Sequence, residues 1–137
     1  MATTFSAEEK AAMKAAVAEK KAAQAGADAA AACEAAIAAL TGNDKELAET
    51  FHQLVAENTT LAPKTWYGMP AYADADGKTV VAFKPGSKFK MRYATIEFQP
   101  AAQLDDGDLW PVGFAVATLG DADKKRIAAA LRSAVGR

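Results

Sequence analysis

Cysteine and histidine are almost missing from this chain: 137 residues hold one of each, Cys33 and His52. No intrachain disulfide can form, and two such residues cannot build a zinc or iron site within one chain. A chain without disulfides suits a reducing compartment, so a cytoplasmic location is expected. Apolar runs of the roughly 20 residues needed to cross a bilayer are also missing. The opening Met1-Ala2-Thr3-Thr4-Phe5 lacks the basic stretch and apolar run of a signal peptide, and no membrane partner is expected. Nor does charge of one sign prevail. The net charge is −1, which gives no whole-protein pull toward nucleic acid, and no nucleic-acid partner is expected.

Bulky apolar residues are fewer than the 51% hydrophobic content suggests, because 36 residues are alanine and 19 of those lie in the first 40. The larger apolar residues suit one modest core in a chain of single-domain length. The alanine-rich start reads as helix with little to bury. Ser6-Ala7-Glu8-Glu9 has the spacing of a capping box, which predicts a helix to about Ala25. Gly26 and Asp28 then read as a stop and a new start, with a second helix over 29–40 carrying Cys33, Ile37 and Leu40 on one stripe. The alternative is one long rod in which Gly26 is tolerated. The expected division is an N-terminal helix, 1–27, ahead of an α+β domain, 28–137.

Asn43 with Glu46 predicts the start of a further helix, where Leu47, Phe51, Leu54 and Val55 follow i, i+4, i+7, i+8 and should face the core. From Pro63 the period becomes alternating. Trp66–Tyr72 and Lys78–Lys84 read as strands joined around Asp76-Gly77, followed by strands over Lys88–Phe98 and Gly113–Thr118. A last helix carries Ile127, Leu131 and Val135 on one face. The fold class is α+β, a small antiparallel sheet packed on helices.

Two segments offer a binding site. If Trp66–Tyr72 is one strand, Trp66, Gly68, Pro70 and Tyr72 share a face, and Gly68 leaves a notch between aromatic walls. Pro70 cannot donate to a ladder, which places the strand at an edge or a bulge. If Lys88–Phe98 is a strand, Lys88, Lys90 and Arg92 project from one face as an anion-binding row, with a bulge near Ala94 where the pattern flips. His52 reads as a histidine paired to the core and Cys33 as a small buried hydrophobe. No catalytic motif is present, and no cofactor is expected.

Trp66-Tyr67-Gly68-Met69-Pro70-Ala71-Tyr72, with an amphipathic helix over 44–57 before it and Gly77 then Val80-Val81-Ala82-Phe83 after it, resembles the YdhG-like family over about residues 28–135. The resemblance implies a small frataxin-like α+β fold. It also carries an "iron chaperone" label, but the residues lack a dense acidic ridge. Asp105, Asp106 and Asp108 do not have calcium-loop spacing and read as turn carboxylates. The leading expectation is a non-enzymatic module that binds a small anionic ligand through Trp66, Tyr67, Gly68, Met69, Pro70, Tyr72, Lys88, Lys90 and Arg92. The alternatives are iron handling through the surface carboxylates and a protein adaptor built on the first helix, with the chain a monomer or a homodimer through that helix.

Overall fold

A computed structural model describes residues 6–136. The chain forms α1 (Ala7–Ala38), α2 (Gly42–Asn58), strands β1 (Ala62–Trp66), β2 (Met69–Ala73), β3 (Thr79–Lys84), β4 (Ala94–Phe98) and β5 (Gly113–Val116), and α3 (Asp121–Ala134). The strands make one antiparallel sheet in the order β1-β2-β3-β4-β5, so each pairs with its neighbour in sequence. The fold is α+β.

The capping box forms: the Ser6 hydroxyl accepts the Glu9 N–H at 3.1 Å and the Glu9 carboxylate accepts the Ser6 N–H at 3.3 Å. The expected stop at Gly26 does not occur, and α1 runs through it as the long rod of the alternative reading. A glycine costs a helix about 1 kcal/mol relative to alanine, too little to break one flanked on both sides by strong formers. Asn43 does not cap α2 as expected. Its amide donates to the Ala117 carbonyl at 2.8 Å, while Thr41 holds the N-cap position without a side-chain bond.

All three helices pack on one face of the sheet. Cys33 and Ile37 of α1, Leu47, Phe51, Leu54 and Val55 of α2, and Ile127, Leu131 and Ala134 of α3 share one buried cluster with Tyr72, Val81, Phe83, Ile96 and Phe98 from the strands. The predicted stripes of α2 and of α3 through Leu131 are therefore the core faces, while Val135 is half-buried. Phe51 sits at the centre, edge-on to Tyr72 with centroids 5.6 Å apart and stacked on Phe83 at 6.3 Å. A register shift between Tyr72 and Ala73 lets two successive residues of β3, Val80 and Val81, both join this cluster.

The second face of the sheet is set by the register. Trp66 pairs with Met69 and Lys64 with Ala71; Ala71 pairs with Ala82, and Ala82 with Glu97. Met69, Ala71 and Ala82 are buried yet stand apart from the helical core cluster. Lys64, Trp66, Lys84, Thr95 and Glu97 around them are half-exposed.

Candidate functional site

The segment Trp66–Tyr72 is two strands and a turn, not one strand. Trp66 and Met69 are register partners, which leaves Tyr67 and Gly68 as a two-residue hairpin loop. Both have positive φ, 51° and 76°, as a tight turn matched to the strand twist requires. The expected notch does not form, because the hairpin puts Trp66 and Tyr72 on opposite faces: Trp66 pairs with Met69, whereas Tyr72 pairs with Pro63. Pro70 is not on an edge strand either, since β2 lies between β1 and β3. It sits past the last β2–β3 pair, Ala71 with Ala82, so its missing N–H removes no ladder bond. Met69 and Pro70 are buried, while Tyr67 is 79% exposed at the tip, its ring 5.0 Å from that of Trp66.

The basic row is not a strand. Ser87–Phe89 is a single 3₁₀ turn, Lys90 is left-handed at φ 55°, and β4 begins only at Ala94. The pattern flip at Ala94 is thus the start of the strand, with no bulge needed. Two contacts impose the turn. The N–H groups of Gly86 and Ser87 donate to the Asp44 carboxylate at 3.1 and 3.3 Å, and the Ser87 hydroxyl donates to it as well. Gly86 also packs so closely against the returning chain that a Cβ there would lie 2.6 Å from the Tyr93 carbonyl oxygen. The Gly86–Ser87 amides already hold an anion, Asp44, and offer nothing further to a phosphate.

The turn scatters the three cations. Arg92 lies over the Tyr93 ring at 5.3 Å and lines an open depression of about 260 Å³ with Thr41, Asn43, Asp44 and Met91. Lys90 is exposed. Lys88 reaches the hairpin: its ammonium donates to the Tyr67 carbonyl at 2.8 Å and lies beside Gly68. Next to it Phe89, 43% exposed, receives the Lys84 ammonium over its ring at 5.3 Å. Lys84 also bonds Glu97 at 3.0 Å, and this pairing holds the Glu97 carboxyl below its ordinary value. The result is one surface in which Trp66, Tyr67 and Phe89 lie beside Lys84 and Lys88, on two backbone turns pinned together by Lys88.

Tyr72 serves elsewhere. Its hydroxyl lies 2.9 Å from His52 Nδ1 and accepts from the Cys33 thiol at 4.0 Å, which ties α1 to α2 through the sheet. With the thiol donating to it, the phenol is free to donate to Nδ1, and neutral His52 then carries its proton on Nε2. Burial pushes the Cys33 thiol up, and pushes the Tyr72 phenol up strongly, so neither is poised to ionise. His52 is the half-exposed end of this chain and lines an open cleft of about 270 Å³ with Glu34, Ile37, Lys45 and Glu49. The sequence reading paired His52 to the core, but its partner lies on a strand that no spacing rule links to α2.

Asp105, Asp106 and Asp108 are exposed on the loop between β4 and β5. Asp74 accepts the N–H groups of Asp76 and Lys78, each at 3.0 Å, and so closes the Asp76-Gly77 hairpin. Among the described residues, no three His, Cys, Asp or Glu side chains come together as a group that could hold a metal ion, and no helix is long and apolar enough to cross a membrane. No protein-family model, curated protein or solved structure matches the chain.

Proposed function

We propose that this chain is a non-enzymatic binding module of the YdhG-like kind, and that its ligand is a small anion with a planar or apolar portion. The ligand docks on the surface shared by the β1–β2 hairpin tip and the 86–93 turn. The observation that carries this reading is the 2.8 Å bond from Lys88 to the Tyr67 carbonyl, which joins exposed aromatic side chains to the basic 86–93 turn. An ammonium has three donors and this bond uses one, leaving two for a carboxylate or phosphate. The exposed faces of Tyr67 and Phe89 supply stacking area, and Trp66 borders them. The site is an open surface, so the ligand gains by stacking and charge more than by enclosure, and its affinity is modest.

A screen of aromatic carboxylates and phosphates, read by amide chemical shifts, tests the reading. Binding is expected to move residues 66–69 and 87–91, to weaken about tenfold in Lys88→Ala and Trp66→Ala, and to survive in Arg92→Ala. Ligands that move only the Arg92 depression, or that bind Lys88→Ala and Trp66→Ala as tightly as the parent chain, refute it.

A further inference from the structure

A second concave place lies at the end of the β1–β2 hairpin away from its tip. Ala62 and Ala73 are the last register pair there, about 14 Å along the ladder from Trp66 and Met69. A cleft of about 250 Å³ opens beside this pair. Its walls come from residues 60–62, from the end of β2 with Val80 of β3, from residues 101–103, and from the C-terminal end of α3. Five of the eleven lining residues are alanine, and the space exists for that reason. One-carbon side chains do not fill the gap where the sheet end, the loop and the helix end converge.

The walls are tied to one another. The Gln99 N–H donates to the Val80 carbonyl at 2.8 Å, and the Gln103 N–H donates to the Ala134 carbonyl at 2.7 Å. Between these two bonds Ala102 is buried in the core cluster, so residues 99–103 are fastened across the sheet end from β3 to α3. Val80, Ala73 and Ala134 give the cleft a buried lining, and Leu61 packs against the core. A cleft with such walls is formed before any ligand arrives.

Asp74 is the one charged residue of the lining, and it is half-buried. Its Oδ1 accepts the Asp76 and Lys78 N–H groups, which fixes the carboxylate in place. The second oxygen, Oδ2, is left to accept from elsewhere. The 14-residue helix α3 ends in the same cleft with the negative pole of its dipole. Both fields favour a cation, and the apolar walls favour one with a hydrocarbon body. We infer that this cleft binds a small apolar ammonium, its charged head on Asp74 and its body against Leu61, Val80 and Val135. At ~30 Å³ for each water-sized unit, the space suits a ligand of about eight to ten heavy atoms. The assignment is independent of the hairpin-tip site, which is proposed for the opposite charge.

Benzylamine, protonated at neutral pH, is the probe, with benzyl alcohol and benzoate as neutral and anionic counterparts of like size. Titrations of the full chain are read by amide chemical shifts. Benzylamine is expected to move residues 60–62, 73–75 and 101–103 saturably, and to bind about fivefold more tightly than benzyl alcohol. Benzoate should be the weakest of the three at this cleft. Asp74→Asn keeps an Oδ1 acceptor for the hairpin N–H groups and removes the charge, so benzylamine should fall to the level of benzyl alcohol. Ala62→Leu, at an exposed position, should fill the cleft and abolish binding of both. If Asp74→Asn disturbs the hairpin, seen in the shifts of Asp76 and Lys78, the order of the probes on the parent chain and Ala62→Leu decide. Failure of benzylamine to move the cleft residues overturns the inference. So does benzyl alcohol binding as tightly as benzylamine, unchanged benzylamine binding in a folded Asp74→Asn, or binding that survives Ala62→Leu.

Discussion

The two ends of α1 are built from nearly the same residues and live under different physics. From Ala7 to Asp28 the helix is alanine with scattered charges and every residue is exposed; from Ala29 to Ala38 it is again mostly alanine, but Cys33 and Ile37 are buried. Alanine gives a helix its backbone preference and almost no area to bury, so composition makes the rod and two side chains decide which end belongs to the core. The near end is held by Ile37 in the shared cluster and by the Cys33–Tyr72–His52 contacts that reach α2. Among the described residues, the far end has only its own hydrogen bonds and a capping box. Its stability rests on alanine propensity and on continuity with the docked end, not on packing. The body and the rod should therefore respond to different substitutions.

The largest separation should come from Phe51→Ala. Phe51 is fully buried between Tyr72 and Phe83, and its loss should cost about 3–5 kcal/mol of global stability in urea unfolding. Hydrogen exchange in residues 8–24 should not change, because nothing from the core reaches them. A cost below about 1 kcal/mol would show that the core relaxes around the cavity and that Phe51 is not its centre. Tyr72→Phe is a finer probe of the joint between rod and body. It removes one oxygen and leaves His52 Nδ1 and the Cys33 thiol without their shared partner, at an expected cost of about 1–2 kcal/mol. Exchange should rise in residues 30–38 and stay as it was nearer the N-terminus. An unchanged unfolding midpoint would mean that water replaces the phenol at no cost and that Ile37 alone seats the helix.

What was legible in the sequence followed the same division between local and distant causes. The stripes of α2 and α3 are set by spacing within one helix, and Leu47, Phe51, Ile127 and Leu131 are buried as that spacing predicts. The Asp76-Gly77 turn carries its own signal. The Tyr67-Gly68 turn does not, because a bulky aromatic at positive φ is uncommon and neither Asn-Gly nor Asp-Gly marks the place. Lys88 to Tyr93 alternates like a strand and is a turn, held by Asp44 from a helix far back in sequence and by the crowding of Gly86 against Tyr93. Both errors bear on the candidate site. Read as strands, the two segments gave a notch and a row; folded as turns, they are brought together by Lys88 and Tyr67, a contact that alternation alone cannot reveal. The rod at Gly26 went the other way, where a local stop signal was outweighed by the alanines around it.

Gly26→Ala is the gentlest substitution and the one that isolates the rod. A Cβ at Gly26 meets nothing within 4 Å, and the residue lies inside a regular helix, so alanine fits without strain. The gain expected from helix propensity is about 1 kcal/mol. It should be local. Opening of residues 8–24 does not require the core to open, so the added stability raises the free energy of local opening and leaves the global transition where it was. Helix content should rise slightly on warming, exchange protection should increase about fivefold on the N-terminal side of residue 26, and the urea midpoint should hold. A higher midpoint together with higher protection would mean that rod and body unfold as one cooperative unit, and the contrast between the two ends of α1 would then be one of exposure alone. If neither quantity moves, the first turns are held by something other than their own backbone.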